Sequence, residues 1–119
     1  QRFTQPYVSG MRFGSKKPVY ILISSKTFSA AEAFAYNLQA LKRATVVGEK
    51  SGGGAHPFEY VRIHPHFVLW SVTAKSVNPI TGSNWQTVGV TPDIEVPKNE
   101  ALTAALADLA RRRKPDSNR

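Results

Sequence analysis

The sequence of 119 residues contains no cysteine and a single methionine. That absence excludes disulfides, thiolate zinc sites and a cysteine nucleophile, while leaving the compartment open, because a cysteine-free chain suits the cytosol and the periplasm alike. Long apolar runs are missing too. The longest strongly apolar stretch, Val19 to Ile23, falls far short of the roughly 20 residues that a membrane-spanning helix needs. Acidic residues are scarce, with 8 Asp and Glu against 16 Lys and Arg, a net charge of +8. Such an excess raises nucleic acid as a partner, yet Arg111, Arg112, Arg113, Lys114 and Arg119, opposed by Asp116, put half of it in the last nine residues. A basic helix end facing the negative pole of the helix dipole accounts for that clustering, and no nucleic-acid partner is expected. With 41% hydrophobic and 20% charged residues, the composition lies outside the disordered regime and fits one globular domain or less.

Along the chain, residues 1–17 mix polar and aromatic residues without a period and read as the end of an upstream element plus a linker. Gln1, not Met, opens the chain, which reads as a fragment. Val19 to Ile23 is β-branched and continuous, the pattern of a strand buried on both faces of a parallel sheet. From Ser29 the period changes: Ala30, Phe34, Leu38 and Leu41 fall on one helical stripe. Thr45 to Gly48 is a second strand, so strand, helix and strand form a crossover unit. Residues 58–63 and 67–74 resemble an antiparallel pair around His64-Pro65-His66, and Thr91 to Pro97 a short closing strand bounded by prolines. Asn99 is placed to cap a final helix from about Glu100 to Arg113. The expected organisation is linker 1–17, one folded portion 18–97 and helix with basic tail 98–119, without internal repeats.

Ser29-Ala30-Ala31-Glu32 reads in two ways. As structure it is a capping box, in which serine and glutamate satisfy each other's backbone N–H groups. As chemistry, a serine on a strand-to-helix turn holds its hydroxyl at the positive end of a helix, beside N–H groups able to stabilise an oxyanion. A serine nucleophile needs a base. His56 closes the loop Ser51-Gly52-Gly53-Gly54-Ala55 and is the best placed of three histidines; Lys50, 21 residues after Ser29, is the alternative. His64 and His66 have no acidic or cysteine ligand near them in sequence and read as exposed turn residues, so no metal is expected. The glycine run lacks a following Lys-Ser/Thr, which excludes a nucleotide-phosphate loop.

Lys26-Thr27-Phe28-Ser29-Ala30-Ala31-Glu32, continued by Leu41 to Glu49, resembles the nucleophile region of the tail-specific (carboxyl-terminal processing) serine peptidase family. Gly52-Gly53-Gly54-Ala55-His56-Pro57 and Asn78-Pro79-Ile80-Thr81-Gly82 are similar to the branch related to interphotoreceptor retinoid-binding protein and the tricorn protease core, and Gly89-Val90-Thr91-Pro92-Asp93 matches the closing motif of the family. The resemblance implies a crotonase/ClpP-like α/β fold and peptide-bond hydrolysis, with Ser29 as nucleophile and the Ala30 N–H as an oxyanion donor. It also implies a peptide or unfolded-protein substrate, no cofactor, and an extracytoplasmic or periplasmic setting. Two departures stand out. The lysine base of the processing branch corresponds to Gly54, and the glutamate of the tricorn-like branch to Gln86. That branch's base histidine and second oxyanion donor would precede Gln1, so the upstream half of the protein is an expected partner, and these residues alone are expected not to hydrolyse peptides. An apolar edge left open by that half could pair copies into a homo-oligomer. A binding domain of the retinoid-carrier kind, which keeps the fold without catalysis, is the alternative to a serine endopeptidase.

Overall fold

The apolar run after Pro18 becomes strand β1 (Tyr20–Ile23) in the computed structural model, which describes residues 7, 9, 10, 14 and 16–113. Helix α1 (Ala30–Ala40) follows, and β2 (Thr45–Gly48) returns parallel to β1, with Tyr20 opposite Thr45 and Ile23 opposite Gly48. A hairpin of β3 (Phe58–His64) and β4 (Phe67–Val72) comes next. β5 (Ile94–Glu95) then joins β2, again parallel, giving the order β1-β2-β5, and α2 (Ala101–Arg113) closes the described chain. The expected crossover unit is therefore present, as is the closing strand between Pro92 and Pro97.

Because side chains alternate across a strand, the sheet has two packed faces. Ile21, Ile23 and Val46 meet Ala33, Ala35 and Tyr36 of α1 together with Ala55, Trp85 and Val90. On the other face Tyr20, Val47 and Ile94 meet Ala101, Ala104 and Ala105 of α2. Alanines predominate on both helices, and their small side chains let the helices lie close to the sheet.

Three expectations need correction. The stripe Ala30, Phe34, Leu38 and Leu41 is not the packed face of α1: Phe34 and Leu41 are each 60% exposed, whereas Glu32 and Ala35 are fully buried. A polar side chain can occupy the inner face because its oxygens are fully hydrogen-bonded there. β1 is not buried on both faces either. Leu22 remains exposed at the sheet edge, where it borders an open cleft with Ala101 and Leu102, because α2 reaches over the Tyr20 end of the strand. Finally, Pro97 accepts the N–H of Glu100 at 2.8 Å, which moves the helix start one residue on. Glu100, accepting from the Ala104 N–H at 2.9 Å, takes the cap position expected of Asn99. Lys114, Arg119 and most of the expected linker lie outside the described residues.

α2 is fastened by one buried carboxylate. The Tyr20 hydroxyl donates to Asp108 Oδ2 at 2.8 Å, while Arg111 and Arg112 pair with the same side chain. Two cations of the basic helix end thus serve packing. The Tyr20 hydrogen bond and then the Arg111 bond hold the Asp108 carboxyl below its ordinary value, against the opposing effect of burial. A depressed folded-state value means that this stabilisation is fully present above the unfolded pKa of about 3.9 and is lost as pH falls through the folded value. Asp108→Asn should lower the urea midpoint at neutral pH and flatten its decline below about pH 4. Identical midpoint-versus-pH curves for the two proteins would contradict this anchoring role.

Candidate active site

Ser29 occupies the N-cap of α1, six residues after β1 ends, with φ 54° and ψ −117°. Positive φ at a non-glycine residue costs on the order of 1–3 kcal/mol and persists only where surroundings over-determine it. Here the Ser29 N–H donates to Glu32 Oε2 at 2.7 Å, the glutamate half of the expected capping box. The carbonyl of Ser29 accepts the N–H of Ala33 at 3.0 Å and that of Phe28 the N–H of Ala31 at 3.2 Å. The N–H of Ala30 has no acceptor among the described residues. A free donor thus adjoins an exposed hydroxyl at the positive end of the helix.

The glycine loop is held against this turn, and its donors are spent. The N–H groups of Gly53 and Gly54 reach Glu32 at 2.7 and 2.9 Å, and the Ser51 hydroxyl donates to the same carboxylate at 2.5 Å. Ala55 and His56 N–H groups donate to Gln86 Oε1 at 2.8 and 3.1 Å. Gly52 donates to the Thr27 carbonyl and Ser51 to that of Val90. Every N–H from Ser51 to His56 therefore has a partner inside the protein, and the loop is no anion cradle. Burial pushes the Glu32 carboxyl up, but the Ser51 hydroxyl and the N–H groups of Gly53, Gly54 and Ser29 outweigh it and hold the group below its ordinary value.

Two cavities adjoin Ser29. One of about 210 Å³ is lined by Phe28, Gly54, His56, Phe58, Trp70, Val72 and Gln86 besides the serine. Its apolar wall is the hairpin, on which Phe58 and Trp70 stack with centroids 4.6 Å apart. The other, of about 560 Å³, runs past Ala30, Ala33, Ser76 and Trp85. Gln86 thus lies beside Ser29, but its amide oxygen holds backbone. His56 lines both cavities, and its Nδ1 is buried with no hydrogen-bond partner among the described residues. Lys50 is exposed and lines neither. His64 and His66 are exposed on the hairpin, their rings 5.5 Å apart, and no group of three His, Cys, Asp or Glu residues suited to a metal occurs among the described residues. At Gly54 an added Cβ would sit 2.2 Å from Phe28 Cζ, so a lysine there needs the Phe28 ring to swing out.

The model of peptidase family S41 matches residues 2–96. The chain belongs to this family. A carboxy-terminal-processing protease of Bartonella bacilliformis is 34% identical, over 72% of this chain and 21% of that protein. Among solved structures, a photosystem II D1 C-terminal processing protease aligns with a TM-score of 0.61 at 25% identity, over 87% of this chain and 26% of the other. Mature CPAF aligns at 0.58 and 23% identity, over 80% and 19%, a likeness of fold. The S41 chain thus spans about a fifth to a quarter of the length of these relatives. Its described part has the mixed α/β fold of the family.

Sequence reasoning missed several residues that shape this S41 site. Ser51 was read only as part of a loop, yet its hydroxyl bridges Glu32 and the Val90 N–H, the latter at 2.7 Å. Trp85 is buried and donates from Nε1 to the Gly54 carbonyl at 3.1 Å. Asn78, quoted above only within a motif, is buried and accepts from the N–H groups of Ile80 and Thr81, bracing the turn that runs to Gly82. Only Asn78, in an Asn-Pro turn, carried a local signal.

Proposed function

We propose that this chain carries the nucleophile of a serine endopeptidase acting on extended peptide or unfolded protein, with Ser29 Oγ attacking the scissile carbonyl. The supporting observation is Ser29 itself, held at positive φ on the helix N-cap beside an unpaired Ala30 N–H and an apolar cavity. Attack forms a C–O bond as the base takes the Oγ proton, and the carbonyl becomes a tetrahedral oxyanion to which the Ala30 N–H donates. Collapse breaks the C–N bond, the departing amine takes up a proton, and water then cleaves the acyl-serine ester. The Ala30 donor alone corresponds to about 2.7–4 kcal/mol of barrier, the usual cost of removing one oxyanion contact. The base is assigned to a residue outside this chain, with His56 as the candidate within it. The apolar cavity suits one apolar substrate side chain, and relatives named for processing carboxyl termini support the substrate class. We further assign the sheet to a crotonase/ClpP-like catalytic fold of the retinoid-binding-protein and tricorn branch, in an extracytoplasmic setting; the crowding of Gly54 by Phe28 favours that branch over one with a lysine base there. Reaction of the full-length protein with a fluorophosphonate probe, followed by peptide mass mapping, tests the reading: the adduct is expected on Ser29, and an adduct elsewhere refutes it.

Gln86 and Gly54 favour a second reading, a binding domain for a hydrophobic ligand, since neither side chain supplies the ionisable group of the active branches. Gln86→Glu distinguishes them. A carboxylate can still accept from Ala55 and His56 with one oxygen while presenting the other to an imidazolium, which an amide cannot stabilise as an anion does. Peptide turnover by the full-length protein should rise or its pH profile shift. An unchanged rate and profile would leave the position without catalytic meaning.

A further inference from the structure

Glu32 accepts from four donors, two on each oxygen, that belong to the serine turn, the glycine loop and Ser51. A carboxylate has about four acceptor sites, so its capacity is filled. Its side chain is fully buried, and no cation pairs with it among the described residues. Only hydrogen-bond donors and the start of α1 balance the charge. This is more than a helix cap requires, since a capping box asks the glutamate for one bond.

We propose that Glu32 is the positioning residue of the serine centre, a carboxylate that fixes the backbone of Ser29 and the wall formed by Gly53 and Gly54 in one rigid unit. The inference rests on Ser29 as nucleophile. Pulling the Ser29 N–H toward Glu32 holds φ at its positive value, and that angle aims the hydroxyl. Pulling Gly53 and Gly54 to the same anion keeps their N–H groups away from the substrate, which leaves the Ala30 N–H as the oxyanion donor. The charge lies next to the nucleophile in sequence but contacts no substrate, so its action is geometric.

An isosteric amide separates this role from mere folding. Glutamine offers one acceptor oxygen, and its NH2 must then face at least one backbone N–H, from Gly53 on one side or from Ser29 and Gly54 on the other. A displacement of about 1 Å at a reacting group can cost on the order of 100-fold in rate. In the full-length protein, Glu32→Gln should therefore label with a fluorophosphonate about 30–100-fold more slowly per folded molecule, yet reach full stoichiometry. For peptide hydrolysis, kcat should fall while KM stays within about threefold. A purely structural role predicts the opposite: fewer reactive molecules, each reacting at the wild-type rate. That result overturns the proposal. If Glu32→Gln does not fold by circular dichroism, Ser51→Ala, which removes one donor and keeps the charge, decides instead. Slower labelling at full stoichiometry supports the proposal, and an unchanged rate constant refutes it. Labelling that persists in Ser29→Ala would instead refute the choice of nucleophile, so the two failures are distinguishable.

Discussion

Ser29→Ala in the full-length protein should abolish fluorophosphonate labelling and reduce peptide turnover by about 10⁴–10⁶-fold, the range found when a serine nucleophile is removed. Stability should change little. The hydroxyl is exposed, and its backbone N–H, which bonds Glu32, is retained. Alanine also keeps a Cβ, so the cost of φ 54° is common to both proteins. A matched urea midpoint with lost labelling assigns the hydroxyl to chemistry. Residual turnover above about one hundredth of wild type would move the nucleophile elsewhere.

Trp85→Ala should be the most destabilising single truncation near the site, at about 3–5 kcal/mol, the usual range for a buried Trp or Phe. Against a typical domain stability of about 5–15 kcal/mol, this leaves a large unfolded population. Trp85 is 5% exposed and packs against Tyr36 with ring centroids 5.2 Å apart. Removing it opens a cavity between α1 and the glycine loop, and it strands the Gly54 carbonyl that accepts the indole N–H. Trp85→Phe should recover most of the loss, falling short by about 1 kcal/mol for the missing hydrogen bond. Denaturant midpoints at unchanged m-value give both differences. A loss below about 1 kcal/mol in Trp85→Ala would show that the loop collapses onto the vacated space.

The parallel core was legible because β-branched residues in Tyr20–Ile23 and Thr45–Gly48 flank a segment of helical period. The place of Ser29 at the start of α1 was legible because the Ser-Ala-Ala-Glu spacing is that of a capping box. The packed face of α1 was not. Hydrophobic periodicity assumes that apolar side chains point inward, and here a carboxylate does so because donors distant in sequence converge on it. The hydroxyl of Ser51 and the N–H groups of Gly53 and Gly54 come from the next loop, and nothing local announces their direction. Gln86 shows the same limit. Family resemblance put it beside the serine, but its two bonds to Ala55 and His56 depend on how residues 73–89 fold back. The crowding of Gly54 by Phe28 likewise exists only once the turn and the loop meet.

Among the described residues the hairpin of β3 and β4 pairs with itself and joins no other strand, and its large apolar side chains, Tyr60, Val61, Ile63, Leu69 and Trp70 among them, are exposed. A lone two-stranded ribbon is at best marginally stable in water. The wall of the smaller cavity is therefore built from a segment with a low free energy of local opening, whereas the serine stands at the start of α1, which packs on the core around Val46. Amide protons of β3 and β4 would exchange through such openings, and those of β2 only when the sheet itself unfolds. One side of the cleft is thus held by the buried core, and the other should gain order from whatever lies against it, read as slower amide exchange in β3 and β4 when a chain is bound.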